Sequence, residues 1–483
     1  MKKKSCVLLV EPDFPYPNKS KNKGSDVHKN FIPIGLLKLG AFHRNKGDKV
    51  RLVRGKKSKK EIGFYPDRIL VTSIFTYWSK YVWDNIAHYR SLFPNSEIHL
   101  GGIYATLHYD TDKFKKLMKE FNVKVSVGVS CEAEKYLPDY NLTPGVDYHA
   151  THMMRGCIRR CKFCGTWKIE PDRTNKNKEE VINELLKVGK NKVIFYDNNI
   201  LANPYIKDIL IAFQNLKING KPVIFESQSG FDGRLLEKDP ELATLIKKAR
   251  FKNIRIAWDN SLEDKGSIQK QIASLVDAGY PVKDISVFMI YNFEIPYEDM
   301  IKKIKYCGKW GVQITDCRYR PLDLDYDDYK PHMRYGQSKG SFYIHEKSGW
   351  TDKKIRDFRK SVRKHNIWIR YAKDKGLEYD PKMEKWSAIH SVYKFFNLGK
   401  PPRMEIIESN SRINNRIILL KRLANYHKQF GIDAPNLRNL SSQRLDRFLK
   451  RLFEQKINRA EENESILRVV LANINNHKGT INY

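Results

Sequence analysis

The chain has few acidic residues for its length and no long apolar run. Its 483 residues include 55 Asp and Glu against 89 Lys and Arg, a formal net charge of +34. No apolar run reaches the roughly 18–20 residues that a membrane span needs. After a basic start, only the stretch 7–10 is apolar before an acid follows, which is too short for a secretory signal. We therefore expect a cytoplasmic protein without a membrane span.

Cysteine is also scarce. Seven cysteines, an odd number, do not suit a disulfide scaffold in a chain of this length. Three of them, Cys157, Cys161 and Cys164, fall within eight residues. This clustering is typical of a metal or redox site. Hydrophobic residues make up 41% and aromatic residues 12%, which is enough to build cores and excludes global disorder.

The positive charge is concentrated at the two ends of the chain. Residues 1–60 carry 17 Lys and Arg against 4 Asp and Glu, and residues 326–483 carry 33 against 17. The middle, 61–325, is nearly balanced at 39 against 34. An excess of this kind points to an anionic substrate or partner such as nucleic acid, or to a strongly solvated surface. The charge excess therefore bears on which partner the protein binds and not on which reaction it catalyses.

The pattern of apolar segments predicts an α/β protein in three parts. In 1–145, short apolar strands alternate with helical stretches at 34–45 and 78–93, which predicts a doubly wound, Rossmann-type sheet. In 146–325, six strand–helix units predict a partial (β/α)6 TIM-like barrel. The region 326–483 is basic and mainly helical, with its clearest helices at 412–430, 442–453 and 460–473. The barrel strands are expected at 149–154, 192–196, 222–226, 253–258, 285–291 and 311–317.

The strongest chemical signal is the segment RGCIRRCKFCGTW at 155–167. Its cysteines are spaced C-x3-C-x2-C and follow the first barrel strand directly. Three thiolates on one loop can hold three irons of a [4Fe-4S] cluster and leave the fourth iron without a protein ligand. Two alternatives stay open: a zinc knuckle that recruits His149 or His152, and an ordinary trio of buried cysteines.

At these residues the chain resembles the radical S-adenosylmethionine (SAM) superfamily. The signature C-x3-C-x-aromatic-C is complete, with Phe163 as the aromatic residue. The resemblance spans 148–325. Further segments that resemble the family are FYDNNILANP (195–204), SQSG (227–230), AWDNS (257–261), MIYNFEIPYED (289–299) and RYRPLD (318–323).

This resemblance implies a cluster on Cys157, Cys161 and Cys164 that binds SAM and, once reduced by a flavodoxin- or ferredoxin-type donor, generates a 5′-deoxyadenosyl radical. Polar side chains at the ends of the strands are implied to bind the cofactor. They are Asp197, Asn198, Asn199, Gln228, Ser229 and Asp259. Two departures weaken the match: Asn199 stands where relatives often have an acidic or aromatic residue, and 291–293 lacks the glycine of the fifth-strand turn.

The N-terminal part is similar to the cobalamin-binding-like domain that precedes many radical SAM barrels. The segments that carry this similarity include VLLVEPDFP, PNSEIHLGGIYAT and GVSCEAEKYLPDY. By that similarity Ser73, Gly101 and Gly102 would lie against the nucleotide tail of cobalamin. The cobalt-ligating pattern begins at 26–28 but is broken by Phe31, so His28 is a weak candidate ligand. Whether cobalamin binds stays open, and its presence would favour methyl transfer.

One further cysteine and two aromatic and basic segments each suit more than one interpretation. Cys317, at the end of the sixth barrel strand, is expected to be a buried core thiol rather than a group that faces the cavity. The aromatic and basic segments 365–373 and 385–396 suit either nucleic-acid contact or a helical core. The sequence thus predicts a radical SAM enzyme that modifies an unidentified substrate, with methylation as one such modification. The alternative is a nucleic-acid-binding protein with a structural iron–sulfur or zinc site.

Overall fold

The computed structural model describes residues 4–16, 31–329, 342–371 and 382–476. By compactness the chain divides into two units, Met1–His365 and Asn366–Tyr483, which are treated separately below. The structure therefore shows one division, while the three-part layout with boundaries after 145 and 325 stays a prediction.

The first unit begins with a parallel sheet. Its strands β1 to β5 are Cys6–Glu11, Lys49–Arg54, Arg68–Ser73, Glu97–Gly102 and Val123–Val125. Helices α1 to α6 are Ile34–Asn45, Lys59–Ile62, Ser79–Leu92, Ile103–His108, Asp112–Glu120 and Cys131–Glu134. The strand order β2-β1-β3-β4-β5 is that of doubly wound sheets, in which the carboxyl ends of the strands share one edge.

The rest of the first unit continues the alternation of strands and helices. Strands β6 to β16 are His149–Thr151, Met154–Arg155, Thr174–Asn175, Lys192–Phe195, Lys217–Ile218, Lys221–Pro222, Ile224–Ser227, Phe251–Lys252, Arg255–Ala257, Ser286–Tyr291 and Gln313–Arg318. Helices α7 to α13 are Thr166–Ile169, Lys178–Val188, Ile206–Asn215, Gly233–Lys238, Glu241–Lys248, Lys265–Asp277 and Tyr297–Trp310. Helix α14, Asp352–Tyr371, begins in this unit and extends past its last residue, His365.

The main strands of this region form two parallel sheets that follow chain order. One sheet runs β6-β9-β12-β13 and the other β14-β15-β16. The single strand expected at 253–258 is observed as β14 at Arg255–Ala257, preceded by the separate short strand β13 at Phe251–Lys252. They are separate because Asn253 has a φ of +55°, which takes the backbone out of the extended conformation between them. Mixed α/β architecture with parallel sheets is confirmed, and closure into a partial barrel stays a prediction.

The strand register separates an inner from an outer face in the second sheet. Phe288 is paired with both Ala257 and Thr315, and Ile290 with Cys317, so these side chains share one face. The intervening Val287 and Met289 are fully buried in the core that the helices cover. Ala257 and Cys317 are exposed, which marks their face as the accessible one.

The second unit is helical. Helices α15 to α20 are Lys382–Phe395, Met404–Ser409, Ser411–Gln429, Ser442–Arg451, Asn458–Ala460 and Glu464–Asn476, with a π-helical stretch at Leu452–Ile457. Leu420, Leu449 and Phe453 lie in one apolar core. Among the helices in the described ranges, none has both the length and the apolar composition that crossing a membrane requires.

Candidate functional site

The cysteine loop begins at a backbone turn that requires glycine. Gly156 follows β7 with a φ of +75°, and a Cβ there would lie 3.0 Å from the carbonyl oxygen of Asp172. The amide of Gly156 donates to Oε2 of Glu170 at 2.8 Å. The chain is thereby turned and held immediately before Cys157.

The three thiols of the loop are free and partly exposed. The amide of Arg159 lies 3.3 Å from Sγ of Cys157, and the amide of Thr166 lies 3.5 Å from Sγ of Cys164. Burial and the neighbouring Cys164 thiol raise the pKa of Cys161. Hydrogen bonds from the backbone to sulfur are one means by which proteins stabilise thiolate ligands of iron–sulfur clusters.

The donor set fits a cluster better than a single ion. Within the described ranges, no group of three or more His, Cys, Asp and Glu side chains could hold one metal ion. A cubane cluster binds each thiolate to a different iron, so its ligands need not converge on one point. His149 is excluded as a zinc ligand, because its ring nitrogens contact Glu184 at 2.9 Å and Tyr140 at 2.7 Å.

Asp197 is fully buried and supports the backbone of the strand before the loop. Its carboxylate accepts hydrogen bonds from the amides of Met153, at 2.9 and 3.1 Å, and Met154, at 2.6 Å. Burial raises the pKa of this carboxyl to about 7, against the lowering effect of these bonds. The expected cofactor role of Asp197 stays a prediction, and its contacts in the structure are those of a positioning residue.

Asn198 and Asn199 lie beside the cysteine loop. Asn198 donates to Glu170 at 3.1 Å and accepts from the hydroxyl of Thr166, which in turn contacts Cys164. Asn199 is buried and donates to Asp232 at 3.0 Å, while its own carbonyl oxygen has no hydrogen-bond partner among the residues that the structure describes.

Asp232, which the sequence reasoning missed, binds two arginines beside the loop. Its carboxylate contacts Arg159 at 2.9 Å and Arg234 at 2.8 Å. Burial alone would raise the pKa of Asp232, but the two guanidinium groups lower it overall. The trio carries one net positive charge next to Cys161, which suits an anionic cluster or ligand. The position of Asp232 as the N-cap of α10 was the available sequence signal.

Gln228, Ser229 and Asp259 follow successive strands, as expected. Gln228 is half-buried, and its side-chain oxygen is buried without a hydrogen-bond partner in the part of the chain that the structure describes. Ser229 is exposed. Burial raises the pKa of Asp259 to about 6, with Lys303 and Arg234 opposing the shift. Lys303 itself donates to the carbonyl oxygens of Trp258 and Asn260, so it fixes the segment that carries Asp259.

The expectation for Cys317 is wrong. Its thiol is exposed rather than part of the core, because the register of β16 places it on the accessible face of the sheet. Protein atoms still surround it closely, and this desolvation, with Asp259 and Asp316, raises the pKa of Cys317 to about 12. The thiol of Cys317 is therefore protonated at neutral pH, and it faces the same space as Asp259.

The residues that the resemblance assigned to cobalamin contact one another. Ser73 donates to the carbonyl oxygen of Gly101 at 2.7 Å and accepts from the amide of Ala105 at 3.1 Å. A Cβ on Gly102 would lie 2.1 Å from the carbonyl oxygen of Ser73. These contacts satisfy the hydroxyl of Ser73 and explain the glycine at 102, and the expected contact of the three residues with a cobalamin tail stays a prediction. His28 lies outside the described residues, and cobalamin binding stays a prediction.

Comparison with known families supports the iron–sulfur assignment. Residues 151–313 match the family model of the radical SAM superfamily. This part of the chain is thus a radical SAM domain, which implies an enzyme with a [4Fe-4S] cluster and SAM. No curated protein gives a significant match.

Solved structures add no further argument. The carboxyl transferase domain of Rhizobium etli pyruvate carboxylase with pyruvate is 12% identical, with 94% of this chain and 61% of that one covered, at a TM-score of 0.20. A Rhizobium etli pyruvate carboxylase variant with acetyl coenzyme A is 13% identical, with 95% and 35% covered, also at 0.20. The chain spans less than two thirds of the length of either structure.

Proposed function

We propose that the protein is a cytoplasmic radical SAM enzyme whose cluster is held by Cys157, Cys161 and Cys164. The observation that carries this proposal is the set of three free, partly exposed thiols on one loop inside the radical SAM domain. When bound, a cluster with one iron free of protein ligands would supply the electron that cleaves SAM to methionine and a 5′-deoxyadenosyl radical.

The polar groups around the loop suit SAM. The side-chain oxygens of Asn199 and Gln228 are buried acceptors without a partner in the described residues. Buried acceptors are normally satisfied, so such a pair indicates a donor that the protein does not itself supply. The amino group and ribose hydroxyls of SAM are donors of this kind. Asp259 adds an acceptor nearby, and Asp232 keeps Arg159 and Arg234 beside the loop.

The outer surface of the loop suits an acidic redox partner. Ile158, Arg160 and Trp167 are exposed, and among the described residues Lys162 contacts only the exposed carboxylate of Glu294, at 3.3 Å. Apolar groups rimmed by cations match the acidic surface expected of a flavodoxin- or ferredoxin-type donor. Such a partner would deliver its electron at the cysteine loop.

Anaerobic reconstitution with iron and sulfide tests the proposal. We expect about four irons and four sulfides per chain in the wild-type protein. Cys161→Ala should lose the cluster, whereas Cys131→Ala, which removes an exposed cysteine outside the motif, should load normally. Stoichiometric zinc without iron, or equal loading of Cys161→Ala, would contradict it. Hydroxocobalamin added to the reconstituted protein tests methyl transfer, since retained corrin absorption would support a cobalamin-dependent enzyme.

One observation in the helical unit favours a nucleic-acid substrate. Arg444, Arg447 and Arg451 are exposed on α18 at spacings of three and four residues, so they lie along one side of the helix. None of them has an acidic partner among the described residues, whereas Arg412 and Arg416 are neutralised by Asp446. A row of unneutralised arginines suits a phosphate backbone.

Binding of labelled single-stranded RNA over a salt series tests this second candidate. Triple substitution of Arg444, Arg447 and Arg451 by Ala should make the slope of log K against log salt shallower by about 2. The control triple variant at Arg412, Arg422 and Arg468 removes the same charge from paired arginines and should leave the slope unchanged. Equal slopes in both variants, or salt-independent binding, would contradict it.

A further inference from the structure

A chain of alternating charges connects the N-terminal sheet region to the cysteine loop. Lys38, on α1, contacts Oε2 of Glu134 at 2.9 Å. The other oxygen of Glu134 contacts Arg155 at 2.7 Å, and Arg155 reaches Glu170 at 2.8 Å through its second terminal nitrogen. Each link is thus an ion pair at hydrogen-bond distance.

These charges are largely removed from water. The side chains of Lys38, Arg155 and Glu170 are 8%, 20% and 10% exposed, and that of Glu134, the most accessible of the four, is 30% exposed. Burial lowers the pKa of Lys38 despite the opposing effect of Glu134. Removing one partner from such a network leaves the others buried and uncompensated, which is costly. This row of ion pairs therefore constrains the segments that it joins much more firmly than an exposed ion pair would.

Glu170, the last residue in this row of ion pairs, contacts groups at both ends of the cysteine loop. Oε2 of Glu170 accepts the amide of Gly156, the residue before Cys157, and the side chain of Asn198. Asn198 accepts from Thr166, whose hydroxyl and amide contact the sulfur of Cys164. One carboxylate thus fixes the backbone before the first cysteine and the side chains around the third.

We propose that Lys38 and Glu134 are positioning residues for the iron–sulfur site, through which the N-terminal part of the chain fixes the cysteine loop in the conformation that binds SAM. This inference rests on the proposed function, since it assumes that the loop carries the cluster. The N-terminal part then acts on the radical SAM domain through these ion pairs. Glu134, at the end of the segment GVSCEAE, contacts both Lys38 and Arg155 and so links α1 to the residue two positions before Cys157.

Hydrogen exchange of the cluster-free protein tests the mechanical part of the proposal. Glu134→Gln keeps the size of the side chain and removes its charge. We expect amides of the 156–166 segment to exchange about fivefold faster in this variant. The matched control is Glu132→Gln, because Glu132 is an exposed acid in the same helix and has no ion pair within the described residues. Exchange equal to that of the control would overturn the proposal.

The electron paramagnetic resonance spectrum of the reduced, reconstituted protein tests the effect on the cluster. Wild type and Glu132→Gln should show one signal that shifts fully on SAM addition. Glu134→Gln should load the same iron but shift only in part. Lys38→Met should reproduce this defect and Lys38→Arg, which keeps the charge, should restore the full shift.

The outcomes separate this inference from the proposed function. A full shift in Glu134→Gln and Lys38→Met would overturn the positioning role and leave the enzyme assignment intact. An equal defect in Lys38→Met and Lys38→Arg would also overturn it, because charge would then not be the cause. A wild-type protein without any cluster would instead remove the proposed function, and the exchange measurement would still decide whether the ion pairs fix the loop.

Discussion

The carboxyl edge of the N-terminal sheet and the cysteine loop both carry residues that resemble those of cofactor sites. The polar groups named at the sheet edge have hydrogen-bond partners within the protein, whereas some of those at the loop do not. At the sheet edge, Ser73 is satisfied by Gly101 and Ala105. At the loop, Asn199 and Gln228 keep buried oxygens without a partner in the described residues, beside three free thiols. The residue types do not distinguish the sheet edge from the cysteine loop, whereas the hydrogen bonds that their polar side chains make do distinguish them.

This difference identifies which place is prepared for a ligand. A buried acceptor without a donor costs free energy, so it indicates a donor, from a water or a ligand, that the described residues do not supply. A glycine that packs against a neighbouring strand needs no ligand to explain it. The packing of Ser73 and Gly102 is thus explained without a ligand, and cobalamin binding at the sheet edge stays a prediction.

The largest expected effect is on stability, at the sheet edge. Gly102→Ala would place a methyl group 2.1 Å from the carbonyl oxygen of Ser73 at a φ of +99°. We expect the free energy of unfolding to fall by about 3 kcal/mol or more, as measured by denaturant unfolding under anaerobic conditions.

Gly101→Ala is the matched control for that measurement. A Cβ on Gly101 meets its nearest atoms at 3.6 Å, which is ordinary contact, so little stability should be lost. If both alanine variants were equally stable, or if Gly102→Ala lost corrin binding without losing stability, the sheet edge would have to be regarded as a ligand site after all.

The next effect is a pH dependence that belongs to the loop region. Burial raises the pKa of Asp197 to about 7, whereas an unfolded aspartate titrates near 4. Between these values the folded state holds a proton that the unfolded state has lost, so this contribution to stability falls as pH rises from about 4 to about 7. The stability of wild type relative to Asp197→Asn should fall by about 1 kcal/mol per pH unit across this window.

Unfolding curves of both proteins at several pH values check this expectation. Asp208→Asn serves as the control, because Asp208 is exposed and lies in the first turn of α9. Parallel pH profiles for wild type and Asp197→Asn would show that the buried carboxyl does not titrate in this range, and that its bonds to Met153 and Met154 dominate.

A smaller effect is expected at Gln228, where stability and affinity for SAM together show whether the side chain binds a ligand or supports the fold. Gln228→Leu removes the orphaned oxygen and keeps the apolar volume, so the free energy of unfolding should stay the same or rise slightly. The dissociation constant for SAM should rise about tenfold, as one lost hydrogen bond implies. Equilibrium dialysis and thermal unfolding measure the two quantities. A loss of stability with unchanged SAM affinity would place Gln228 among the structural residues.

The sequence predicted local structure well where local signals exist. The helix expected at 34–45 has those bounds. Helix α8 shows how local such limits are, since Asn177 and Glu180 form a capping box and Gly189 ends the helix in the left-handed conformation. The radical SAM domain was predicted from the resemblance of its cysteine motif and later segments to that superfamily, and the family comparison confirms it over residues 151–313. Both signals lie within short stretches of sequence.

Contacts between distant residues could not be predicted in this way. Lys38 and Glu134 are 96 residues apart, and nothing in either segment indicates that they meet. The break between β13 and β14 depends on a positive φ at Asn253, which the apolar pattern does not show. Cys317 was expected in the core because strand alternation leaves open which face is the accessible one.

The most direct test of the central claim is the formation of 5′-deoxyadenosine from SAM by the reconstituted protein with dithionite. We predict SAM-dependent formation by wild type and by Cys131→Ala, and none above background by Cys161→Ala. The absence of 5′-deoxyadenosine from a fully loaded wild-type protein, or an unchanged yield in Cys161→Ala, would contradict the assignment of the cysteine loop as the reactive site.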